Sequence, residues 1–136
     1  IFKYHPDFDN ILVRLIEEIP NSFLFLFANK DQLDTQQLIS RWELRSELIM
    51  KKTIIHPCVG FDMFLAILKE LDIVLDPFYF GMGNTFYQSM AMGIPVVTMP
   101  SNQARGKYVY AGYKQMEIIN PPVANSPEAP ATALAR

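Results

Sequence analysis

Ile11, Leu12, Leu15, Ile16 and Ile19 recur at the spacing of one helix face, which predicts a helix from near Asp7 that Pro20-Asn21-Ser22 ends. The pattern then changes: Ser22 to Ala28 (SFLFLFA) is nearly continuous apolar sequence, the signature of a buried parallel strand. A polar loop from Asn29 to Asp34 leads to a second predicted helix, Thr35 to about Met50, with Leu38, Trp42 and Ile49 inward and Arg41, Glu43, Arg45 and Glu47 on a solvated face. Thr53 to His56 predicts another strand, closed by Pro57. The helix after it carries Asp62 in its first turn, runs to Glu70, and points Phe64, Leu65, Leu68 and Leu71 inward.

The stretch from Leu71 to Pro100 (LDIVLDPFYFGMGNTFYQSMAMGIPVVTMP) holds the most information. Asp72 to Asp76 is a short β-branched run and predicts a strand. A loop punctuated by Pro77, Gly81 and Gly83 follows, and then a helix that opens at Asn84-Thr85 and stops at Gly93. Ile94 to Thr98 is a further buried strand. A loop from Met99 to Ala104, a helix of about Arg105 to Met116, and a last short strand at Glu117–Ile119 complete the pattern. Pro121 to Ser126 is a break, and Pro127 to Arg136 predicts the opening turns of another helix. Strands alternating with helices define an α/β fold with a parallel sheet, helices on both faces and right-handed crossovers. No internal repeat or boundary divides residues 1–136, which are expected to form a single Rossmann-like domain.

Composition narrows the function. Half of the residues are hydrophobic and the net charge is −2, which argues against disorder and against a nucleic-acid footprint. No run approaches the ~18–20 apolar residues of a membrane span. The single cysteine, Cys58, forms no internal disulfide and no cysteine metal site, and suits a reducing compartment. The start at Ile1, without Met or a signal peptide, is read as the edge of a piece of a longer chain. The two histidines, His5 and His56, each precede a proline and lack partners at metal-ligand or nucleophile-base spacing, so no metal site is expected. Asp72 is taken as structural and Asp76 as loop-shaping. What remains is the glycine loop. A helix opening from it leaves backbone N–H groups unpaired and partly positive, and small residues let an anion approach, so the loop suits a phosphate. The alternative is that Gly81 and Gly83 only shape a turn and Thr85 only caps the helix.

The order LD-x-FxFGxGNT, a helix, GIPVVTMP and then an Arg resembles the C-terminal half of the O-linked N-acetylglucosamine transferase and SPINDLY-like family, from Lys3 to about Glu117. The resemblance implies the C-terminal half of a two-domain, GT-B type glycosyltransferase that binds a nucleotide sugar. It gives Lys3 a leaving-diphosphate role and makes Gly83, Asn84 and Thr85 the phosphate cradle. It places Gln88 where much of the family has an acid for the ribose hydroxyls; Gln keeps hydrogen bonding and loses the charge. It assigns base recognition to the loop of Val59, Gly60 and Phe61, base stacking to Phe64, and anion contact or loop anchoring to Arg105. No cofactor or metal is implied. The donor would be UDP-N-acetylglucosamine or a GDP-sugar, the acceptor a protein hydroxyl reached through sequence N-terminal to Ile1, and the compartment the cytoplasm, with neither nucleic acid nor membrane as partner. The mechanism is inverting, and the chain alone is expected to bind donor without turnover. The alternatives are another two-domain nucleotide-sugar enzyme, such as an epimerase, and a degenerate α/β module that binds no ligand.

Overall fold

His5-Pro6 sets the first helix: proline suits the first helical position, and the His5 ring nitrogen accepts from Asp7 N at 3.3 Å. In this computed structural model, which describes residues 3–126, α1 runs Pro6–Glu18 and buries Ile11, Leu12, Leu15 and Ile16 of the stripe read from the sequence together with Phe8, while Ile19 is half-buried at the C-cap. The chain folds as two compact units, one up to Val59 and one from Gly60.

In the first unit, β1 (Leu24–Phe27) and β2 (Thr53–His56) pair in parallel, Leu24 opposite Thr53 and Phe27 opposite His56. β1 is shorter than its apolar run, because Phe23 lies outside the ladder and is 64% exposed. The single helix expected from Thr35 to Met50 is two. α2 (Gln32–Glu43) begins earlier, because Asp31 caps it through Leu33 N at 3.0 Å; α3 (Glu47–Lys51) starts afresh at Ser46, whose hydroxyl accepts from Ile49 N. Leu38, Trp42 and Ile49 are buried as expected. The solvated face is corrected at two positions. Arg41 makes a two-pronged ion pair with the fully buried Asp9 of α1, and Arg45 bonds Asn10 Oδ1 and Pro6 O. Long cationic side chains reach over a helix edge, which a periodicity argument does not see.

In the second unit, α4 (Phe61–Lys69) carries Asp62 in its first turn and buries Leu68, while Phe64, Leu65 and Leu71 are half-buried. β3 (Val74–Leu75) and β4 (Val96–Val97) pair in parallel; both are cores of longer apolar runs, and Asp72 is exposed. Between them lies α5 (Asn84–Ala91). Gly93, at φ +77°, ends it: Gly93 N donates to Met90 O and Ile94 N to Ser89 O, the paired closing bonds that a left-handed glycine permits. A 3-10 turn at Ala104–Gly106 precedes α6 (Tyr108–Gln115), where a single helix was expected. The strand expected at Glu117–Ile119 is absent: Glu117 and Asn120 adopt φ +55°, the chain turns, and Ile119 is 86% exposed. Val123 bridges Thr98 in parallel instead: Thr98 N donates to Pro122 O, and Thr98 O accepts from Ala124 N. The helix expected from Pro127 lies outside the described residues.

One side chain stands in for a strand neighbour. Val74 N donates to Pro95 O and Asp76 N to Val97 O, so Val96 faces away from β3. There the Tyr113 hydroxyl accepts from Val96 N and donates to Val96 O, both at 2.9 Å. Burial pushes the Tyr113 phenol up and the Asp76 carboxylate adds to this, against a downward pull from the bond to Val96. Tyr113→Phe leaves both Val96 groups buried and unpaired, and the expected loss is about 1–3 kcal/mol, measured by urea unfolding.

Candidate functional site

The loop between β3 and α5 is built around Asp76, which is buried at the end of β3. Its Oδ1 accepts from Met82 N and its Oδ2 from the Thr98 hydroxyl, each at 2.7 Å. The loop-shaping role expected of Asp76 is the one it has. At the crest, Phe80 N donates to Phe78 O across Tyr79, whose φ is +65°. This is a γ turn of the rarer, strained hand, unusual for a bulky residue. On the descending limb Gly81 N donates to Arg105 O at 2.9 Å, and a Cβ at Gly81 would come within 3.0 Å of Asp76 Oδ1. Only glycine lets the loop close over the carboxylate.

The loop delivers Gly83 to the N-cap of α5. Gly83 is exposed, a Cβ on it would meet nothing within 4 Å, and its carbonyl accepts from Phe86 N. Neither Asn84 nor Thr85 caps the helix, so the capping role left open for Thr85 is not the one it takes. Among the described residues the side chains of Asn84 and Thr85 make no hydrogen bond, and Thr85 uses its carbonyl for the Ser89 hydroxyl. The first N–H groups of the helix thus follow an exposed, uncrowded glycine, with an exposed Asn and a half-buried Thr beside them. Gln88 is half-buried one turn further on.

Arg105 resolves partly. Its carbonyl anchors Gly81, its guanidinium lies 5.4 Å from the centre of the Phe80 ring, and its Nε donates to Gln103 Oε1 at 3.3 Å. Loop anchoring is therefore what the structure brings together. Phe61 is exposed at the start of α4, and Phe64, half-buried, donates its backbone N–H to Gly60 O. Lys3 and Val59 belong to the first unit, half-buried, Lys3 in the turn before α1 and Val59 after β2.

A cleft of about 360 Å³ that sequence reasoning missed lies in the first unit, beyond the carboxyl ends of β1 and β2. Asn29, Thr35, Gln36, Ile39, Ile55 and Cys58 line it. Its polar wall is held by Asn29, whose N–H donates to Thr35 Oγ1 and whose amide donates to Asp34. The position, at the carboxyl edge of parallel strands, was the available signal. No helix among the described residues is long and apolar enough to cross a membrane.

The comparisons add a fold. Neither a family model nor a curated protein matches the sequence. Among solved structures, a mutant of the O-GlcNAc transferase of Thermobaculum terrenum is similar at a TM-score of 0.83 and 18% identity, over 96% of this chain and 25% of that one. The chain thus has the α/β fold of part of a GT-B type glycosyltransferase, and it spans about a quarter of the length of the structure it matches.

Proposed function

We propose that this chain is the donor-binding part of an inverting, metal-independent glycosyltransferase similar to the O-linked N-acetylglucosamine transferase and SPINDLY-like family, taking UDP-N-acetylglucosamine or a GDP-sugar and serving a protein hydroxyl as acceptor. One observation carries the reading: the N-terminus of α5 is open, fronted by Gly83, and flanked by Asn84 and Thr85 side chains that no described residue engages. A diphosphate there accepts from backbone N–H groups and from the Thr85 hydroxyl. As the acceptor attacks the anomeric carbon, charge grows on the leaving diphosphate, and fixed donors stabilise it more in the transition state than in the ground state. The likeness in fold to an O-GlcNAc transferase supports the same reading.

Millimolar UDP or GDP raises the melting temperature of the chain. Mass action sets the scale at about 2.7 kcal/mol for a hundredfold excess over the dissociation constant. The shift is the same in EDTA as in Mg²⁺, because backbone donors do the work of a metal. Thr85→Val removes one hydroxyl at nearly constant shape and lowers affinity by about 1 kcal/mol, more if its partner is a charged phosphate oxygen. The Lys3 role implied by the resemblance is measured separately, by Lys3→Ala titrated at two salt concentrations: weaker binding with a flatter salt dependence supports it. No shift with either nucleotide sinks the donor-site reading.

A further inference from the structure

The loop that presents the α5 terminus is referenced to the sheet through one carboxylate. Asp76 is 4% exposed, and its two oxygens are spent on different elements: Met82 N, immediately before Gly83, and the hydroxyl of Thr98, just beyond β4. Thr98 is itself held at both its N–H and its carbonyl by the 122–124 segment, so the far end of the link is tied to the backbone on two sides. Gly81 packs against both carboxylate oxygens, at 3.0 and 3.2 Å for a Cβ built there, which leaves the loop one way to cross. A buried carboxylate accepting from a backbone N–H is short and directional, and it fixes the plane of the peptide it grips. The gripped N–H is that of the Gly81–Met82 peptide, and Met82 is the residue immediately before the N-cap Gly83 of α5.

We propose that Asp76 is a positioning residue for the diphosphate site: by holding Met82 N–H it sets where α5 begins, and so where the N–H groups of Gly83, Asn84 and Thr85 converge. It touches no ligand and acts through the loop. The inference rests on the donor-site reading above. It also separates two anionic groups by function, since the carboxylate consumes the Met82 donor and leaves the next donors for the ligand.

Asp76→Ala, Asp76→Asn and Thr98→Val are titrated with UDP and GDP by calorimetry well below their melting temperatures, with circular dichroism to establish folding and amide exchange of Met82 read by NMR. Asp76→Ala weakens binding at least tenfold. Asp76→Asn recovers most of the affinity, because its carbonyl still accepts from Met82 N, while its amide reverses the second bond and donates to Thr98 Oγ1. A merely stabilising side chain would shift melting and leave the affinity of the folded protein alone. Thr98→Val, which keeps the carboxylate and loosens its far anchor, weakens binding severalfold and stands in for Asp76→Ala should that variant not fold. Wild-type affinity in a folded Asp76→Ala, or in Thr98→Val where only that variant folds, overturns the proposal. Should the wild type bind neither nucleotide, the donor-site reading fails by itself, and Met82 decides the latch: slow exchange in the wild type and fast exchange in Thr98→Val support it, and fast exchange in the wild type overturns it.

Discussion

Arg41→Ala lowers the unfolding free energy of the chain by about 3–5 kcal/mol, the scale for removing one partner of a buried ion pair. The reason is Asp9, which has no exposed surface. Arg41 meets it with Nε at 2.6 Å from Oδ2 and Nη2 at 2.9 Å from Oδ1, and the same Nη2 bonds Tyr4 O at 3.1 Å. Alanine leaves a desolvated carboxylate behind. Arg45 does not rescue it: its nearest approach is 3.9 Å, and its Nη1 is engaged with Asn10 and Pro6. Arg41→Lys restores charge without the planar fork and recovers only part of the loss. The double change Asp9→Leu with Arg41→Met recovers more, because an apolar pair removes the desolvation cost along with the attraction. Urea midpoints of the four proteins check this; an unchanged midpoint in Arg41→Ala contradicts it.

Gly112→Ala is expected to destabilise by about 1–3 kcal/mol, the usual range for overpacking a core. A Cβ at Gly112 would sit 2.3 Å from Phe86 Cε1 and 2.9 Å from Cδ1. Phe86 cannot step aside cheaply. It is 1% exposed, packs edge-on against Tyr113 with ring centres 4.9 Å apart, and shares a cluster with Met82, Val96 and Val109. The consequence reaches the site, because Phe86 follows Thr85 and lies in the first turn of α5. Displacing its ring moves the helix terminus, so Gly112→Ala also weakens nucleotide binding in the protein that remains folded. Stability by urea and affinity by calorimetry are read on the same sample; a variant with the stability and affinity of the wild type contradicts the packing argument.

Element type was legible wherever one periodicity held alone. The helical stripe of α1 and the run Thr53–His56 kept nearly their expected bounds. Boundaries moved where a side chain took over a backbone role: Asp31 started α2 early, Ser46 divided the following helix, and Tyr113 occupied the edge of β4 that another strand would have taken. Long-range pairs were not legible, since nothing in the spacing of Arg41 and Asp9 joins residues 32 positions apart. At the candidate site the glycine loop and the helix after it were readable from the glycines that bracket them, although Gly83 and not Asn84 or Thr85 takes the cap position. The Asp76 latch was readable only as loop shaping, and the γ turn at Tyr79 not at all, since a tyrosine gives no sign of positive φ. Gln32 in the first turn of α2 lines the cleft beside Asn29 and Cys58, and the start of that helix was expected later in the chain, at Thr35.

The most direct test of the donor-site reading is an amide-resolved NMR titration of the chain with UDP, GDP and inorganic pyrophosphate. Saturable shifts are expected at the amides of Gly83, Asn84 and Thr85 with all three ligands, and the same shifts in EDTA. Thr85→Val weakens the response without moving it elsewhere. Amides 83–85 that stay unmoved while the ligands saturate another part of the chain, or that stay unmoved with every ligand at millimolar concentration, contradict it.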